Sequence, residues 1–87
     1  MNRTELLNKA LEIVNGARQE NYGSPEDNFG NIADLWSVYL GKALSRTDVA
    51  AMMILMKTAR LMADPTHDDS WIDIAGYAAC GSQCNGN

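Results

Sequence analysis

Eighty-seven residues, 46% apolar and 21% charged, hold one core and no more, so a second domain and an intrinsically disordered chain are both excluded. The formal net charge of −4 argues against a general nucleic-acid binder, which needs a basic stripe to neutralise phosphates. A domain this short buries a modest share of its surface, so a single domain over residues 1–87, completed by oligomerisation, is expected.

The opening MNRTELLNKALE spreads its charges and has no apolar h-region, so no secretory signal is expected and a cytoplasmic location is the default. Leu6, Leu7, Ala10, Leu11, Ile13, Val14 and Ala17 recur with the spacing of one helical face and predict a first helix over residues 4–22. Gly23 suits the left-handed conformation that closes a helix end. Ser24 then offers an N-cap, Pro25 stands at N1 where its missing N–H costs nothing, and Glu26 and Asp27 face the positive end of the helix dipole. The second helix carries Phe29, Ile32, Ala33, Trp36, Tyr39 and Leu40 with the same period and stops before Gly41.

Ser45 and Asp48 open a third helix, with the acid at N3 answering the N-cap amide as in a capping box. This helix, over about residues 47–63, is apolar on nearly every side through residues 49–56, the longest apolar run in the chain. That run is far short of the roughly 20 residues that span a bilayer, so no membrane association is expected. A helix apolar all round has to be covered all round, which places it at the centre or in a subunit interface. The interface is preferred, giving a homo-oligomer built through Met52, Met53, Ile54 and Met56.

Asp64 and Pro65 end that helix, because the residue before proline is pushed out of the helical region. A fourth helix follows from residue 68 or 70 to 79 or beyond, with Trp71, Ile74, Ala75 and Ala78 on one face, and Gly81 and the tail at residues 85–87 are expected to fray. Cys80 and Cys84 match neither a CxxC motif nor a zinc ribbon and read as reduced thiols. With no alternating strand pattern, the fold predicted is all-α, an up-and-down bundle of four helices.

The chemistry-bearing residues concentrate late in the chain. Asp64, Asp68, Asp69 and Asp73 are four of the eleven acidic residues, and no Lys or Arg stands among them. Asp69 and Asp73, four apart on a helix, can share Mg²⁺ through carboxylate oxygens, and they equally serve as cap and dipole complement at a helix start. Asp48 is a further metal-ligand candidate beside its capping role. Lys57 and Arg60, three apart, can grip phosphate oxygens or simply stand solvated near a helix C-terminus. His67 is a ligand, an acid–base group or an exposed loop residue. Arg18, Glu20, Tyr22 and Asn28 flank the first turn, where Tyr22 and Asn28 can read a base or ribose or merely build the turn. Trp36, Tyr39, Trp71 and Tyr77 are spaced as core or interface aromatics, with base stacking, and Tyr77 as its substrate-binding candidate, the alternative. No phosphate loop, HExxH or GxSxG occurs, so covalent catalysis is not expected.

The segments ARQENYGSPEDNFGNIADLW, DVAAMMILMKTARLM and HDDSWIDIAGYAA together resemble a family of small phage- and prophage-encoded proteins of unknown function, over roughly residues 13–80. More distantly the chain looks like the all-α nucleotide pyrophosphohydrolases of the MazG type, whose acidic ExxE and ExxD motifs on neighbouring helices hold Mg²⁺. Asp69 and Asp73 stand where the second acidic pair would fall, at a spacing of four rather than three, while the third helix supplies only Asp48 and leaves Glu20, Glu26 or Asp34 to complete the set. The resemblance implies a Mg²⁺-dependent, nucleotide-binding phage protein of the host cytoplasm that cleaves nucleoside triphosphates to monophosphate and pyrophosphate. The alternative is a non-catalytic accessory protein that sequesters a nucleotide or inhibits a host protein.

Overall fold

The computed structural model describes residues 1–85, with the side chains of residues 17 and 18 left aside. Five helices follow one another: α1 (Arg3–Asn15), the single-turn-and-a-half α2 (Ala17–Tyr22), α3 (Pro25–Leu40), α4 (Arg46–Ala63) and α5 (Asp68–Asn85). Among the described residues there is no strand, and four long helices pack together. The all-α expectation holds.

Local chemistry explains most boundaries. Asn2 caps α1 by accepting from the Glu5 N–H at 2.9 Å, and Ser24 caps α3 by accepting from Asp27 at 3.2 Å, with Pro25 at the first position. The α4 start is a full capping box: Ser45 Oγ accepts from the Asp48 N–H at 3.1 Å while Asp48 Oδ2 accepts from the Ser45 N–H at 2.9 Å. Gly41 closes α3 in the left-handed region with φ 67°.

Two boundaries depart from the periodicity. The first predicted helix is broken at Gly16, where a Cβ would lie 2.7 Å from the Glu12 carbonyl oxygen. Apolar spacing runs through the break because it registers side chains, not backbone freedom. The fourth predicted helix does not fray at Gly81 but continues as α5 to Asn85, because Cys80 and Cys84 are buried in the core and hold that end down. The expectation of fraying at residues 86 and 87 lies outside the described residues.

The core gathers Phe29 and Ala33 from α3, Val49 and Ala50 from α4, and Cys80 and Cys84 from α5, with Val14, Trp36, Met53 and Tyr77 packed around them. Helix α5 is the hub: it packs against α1, α3 and α4, whereas the α1 backbone comes close to neither α3 nor α4. Helix α4, expected at the centre or, by preference, in a subunit interface, therefore has neighbours within the chain on one side only. Its inward face is Val49, Ala50, Met53 and Leu61, and its opposite face leaves Met52, Leu55, Met56 and Met62 exposed. Met53 and Ile54 are partly covered within the chain. On α5 it is Ser70 and Ile72 that are buried while Trp71 and Ala78 face out, a correction to the predicted face. Trp71 instead donates its indole N–H to the Pro65 carbonyl at 3.0 Å. No helix is long and apolar enough to cross a membrane among the described residues.

Candidate functional site

The junction between the end of α4 and the start of α5 holds most of the residues singled out for phosphate and metal chemistry. The short connection over residues 64–67 turns α5 back along α4, so Lys57 meets Asp73 while Ala50 meets Gly81 seven residues earlier. Lys57 Nζ and Asp73 Oδ2 lie 3.0 Å apart in a part-buried ion pair. The cation expected to hold phosphate and the carboxylate expected to hold metal thus neutralise each other. Arg60, in the last turn of α4, and Asp69, in the first of α5, are both exposed.

The connection itself is ordered by its side chains. Asp64 Oδ1 accepts from the Thr66 N–H at 3.0 Å and its hydroxyl at 2.6 Å, and these bonds hold the Asp64 carboxyl below its ordinary range. His67 is half-buried rather than loosely exposed: its Nδ1 lies 2.7 Å from Ser70 Oγ, and Ser70 is 1% exposed. That contact stations His67 ahead of α5 and satisfies a buried hydroxyl. Asp68, for its part, lies 3.8 Å from the N-terminal amine.

The remaining candidates are elsewhere. Asp48 sits nine residues before Lys57, about 14 Å away along the helix at 1.5 Å per residue, with its carboxylate engaged in the capping box. Tyr22 is exposed at the end of α2, and Asn28 is half-buried in the first turn of α3. The Arg18 side chain lies outside the described residues. Tyr77 is part of the core margin, its ring centroid 6.3 Å from that of Phe29 at a tilted angle, as aromatic pairs prefer. The structure therefore brings together Lys57 and Asp73, sets Asp69 and Arg60 near them by chain position, and leaves Asp48, Tyr22 and Asn28 apart.

For Mg²⁺ the residues present are a poor match. Among the described residues no three His, Cys, Asp or Glu side chains gather around a common point. Asp73 is committed to Lys57, so the pair offers a resident cation one open carboxylate, Asp69, where an all-protein site needs several oxygens.

Three concavities stand out among the described residues. One of about 20 Å³ lies between α1 and α5 beside Asp73 and Tyr77, room for a single water. A groove of about 400 Å³ runs between α4 and α5 over Ala50, Ala51, Ile54, Ala78 and Gly81, with Thr47, Ser82 and Asn85 at its rim. A third, of about 210 Å³, lies between Leu11, Pro25 and Cys80. None of the three is lined by a Lys or an Arg.

Two features escaped the sequence reading. Gln83 Nε2 donates to both Glu26 oxygens, at 2.9 and 3.2 Å, pinning the end of α5 to the start of α3 and holding the Glu26 carboxyl below its ordinary range. Beside it, burial pushes the Cys84 thiol up, which suits packing and not reactivity. Nothing in sequence spacing signals a contact between residues 57 positions apart. The second is which side of the all-round apolar α4 stays outward, with Leu55 66% and Met62 85% exposed. Its signal was legible, because Met52, Leu55, Ala59 and Met62 already share one side of a helix.

Fold and surface define a small all-α domain with no clustered metal-ligand set among the described residues and with a bare apolar helix face. Residues 5–85 match the family described as a domain of unknown function, DUF6378, and the chain belongs to that family. It is 49% identical over 75 residues to the Gene 55 protein of Mycobacterium phage D29, covering 86% of this chain and 50% of that protein. The Gene 55 protein of Mycobacterium phage L5 is 47% identical over 74 residues, 84% of this chain and 47% of that one. The chain thus spans about half the length of the curated relatives it matches. Both relatives are phage-encoded, as the sequence resemblance implied, and neither name states an activity. No solved structure matches the chain.

Proposed function

We propose that this phage-family domain is a non-catalytic accessory protein that works by docking a protein partner on the outer face of α4. The observation that carries this reading is the exposure of Met52, Leu55, Met56 and Met62 along one side of α4. Scattered apolar residues on a surface need no explanation, whereas a contiguous stripe of them marks an interaction site. The pairing of Lys57 with Asp73 supports the same reading from the opposite direction, since it occupies both halves of the site that turnover of a nucleotide would use.

A second reading has one observation in its favour. Arg60 and Asp69 are both exposed at the α4–α5 junction, so a nucleotide carrying Mg²⁺ on its own phosphates would find one cation and one carboxylate open to it. The two readings separate in one experiment: a panel of nucleoside triphosphates is incubated with the protein and Mg²⁺, and pyrophosphate release and melting temperature are followed. Docking without turnover predicts no pyrophosphate above the protein-free blank and no stabilisation, because a ligand that binds only the folded state raises the melting temperature. Pyrophosphate release dependent on Asp69 would overturn the docking reading in favour of hydrolysis.

A further inference from the structure

We infer that the outer face of α4 pairs with the same face of a second copy of this chain, the two helices running antiparallel. This names the partner for the docking surface proposed above and rests on that reading. Met52, Leu55, Ala59 and Met62 follow one another at spacings of three, four and three, the 3.5-residue period that keeps one side of a helix turned toward a partner helix along its length. Neither this seam nor its flanking Met56 and Thr58 carries a charge. Inward-facing Val49, Met53 and Leu61 are already packed against the protein's own core or buried, so the seam is the side of α4 left uncovered.

The chain as a whole also exposes more surface than a compact monomer of its mass. A compact monomer of 9.5 kDa exposes about 5,050 Å² by the usual scaling of area with mass, whereas this chain exposes 5809 Å². The excess, roughly 760 Å², belongs to the whole chain, the exposed Leu35, Val38 and Tyr39 of α3 included, and is of the order of the approximately 800 Å² that each partner contributes to a standard stable interface.

The seam is also complementary to itself. Its spacing is symmetric about residue 57, so an antiparallel copy sets Met52 against the partner's Met62 and Leu55 against the partner's Ala59. Large then faces small in both central layers, and the two helix dipoles oppose. A parallel copy instead stacks Leu55 on the partner's Leu55 and leaves Ala59 facing the partner's Ala59, a crowded layer beside an empty one. A two-fold pairing of this kind closes on itself and uses one patch on both subunits.

Sedimentation and light scattering on the intact protein at micromolar concentration test the pairing. A species of twice the monomer mass is expected, reduced to monomer by Leu55→Lys with helical circular dichroism unchanged. Should Leu55→Lys fail to fold, Met62→Lys, at a position 85% exposed in the single chain, gives the same reading. Direction is read by oxidative cross-linking: M52C with M62C should yield a disulfide between positions 52 and 62 of different chains, and M52C by itself should yield none. A wild-type monomer, a dimer indifferent to both lysine substitutions, or a cross-link between two copies of position 52 overturns the inference. A monomer that also releases no pyrophosphate removes self-pairing while the docking reading stands.

Discussion

Asp48 shows how a residue with one chemical identity can be claimed by two roles and decided by geometry. Its carboxylate accepts the Ser45 N–H at 2.9 Å, and that backbone bond is the main reason the carboxyl is held below its ordinary value of 3.8. A carboxyl depressed in the folded state contributes stability that is present above its unfolded value and is lost as pH falls through the folded one. The melting temperature of wild type should therefore exceed that of Asp48→Asn at neutral pH, and the gap should close as pH is lowered through 3.8 and below. Thermal melts of the two proteins from pH 7 to pH 2 check this; a gap constant with pH would mean that the capping box does not depend on the charge. The same residue scale shows why Lys57 and Asp73 were half legible. Each was singled out as a charged group on its own helix, and only the antiparallel return of α5 along α4 put the two 3.0 Å apart.

Among the elements, those with capping chemistry at their ends were read nearly to the residue. Ser24, Pro25 and Gly41 bound α3, and Ser45, Asp48 and Asp64 bound α4, because caps are local and their partners lie within a few positions. Helices α1, α2 and α5 were less legible. The α1–α2 break turns on a single glycine inside an unbroken apolar pattern, and α5 serves three neighbours, so its covered residues do not fall on one stripe. Packing of α5 on α4 also depends on Gly81, where a Cβ would come within 2.8 Å of the Ala50 Cβ. Alanine is favoured over glycine by about 1 kcal/mol inside a helix, but overpacking costs about 1–3 kcal/mol. Because the atom in the way is itself a Cβ fixed to the backbone, Gly81→Ala should lower stability by about 1 kcal/mol in urea unfolding. Adding Ala50→Gly should recover part of the loss. A Gly81→Ala variant more stable than wild type would show that the two helices separate at no cost.

At the scale of the whole molecule, the hub position of α5 leaves α4 on the outside, with extents of 40 × 29 × 22 Å for the fold as a whole. A helix apolar on both sides then finds cover for one side only, and the other becomes available for association. If self-association covers it, folding and pairing are linked by mass action, and the melting temperature should rise by several degrees over a hundredfold increase in protein concentration. Calorimetry across that range checks it. A melting temperature independent of concentration would match a chain that folds and unfolds as a monomer.

The amino-acid sequence by itself determined the helical class, the ends of α3 and α4, the reduced state expected of Cys80 and Cys84, and the apolar character of α4 on all sides. Each of these rests on side-chain spacing or on contacts within a turn of the chain. Which helix would be surrounded, which carboxylate would meet Lys57, and which side of α4 would remain bare were decided only by tertiary structure. The physical reason is that an amphipathic pattern states how much surface must be covered but not by which neighbour, and α5, weakly patterned along its length, won the central place by packing against three helices at once.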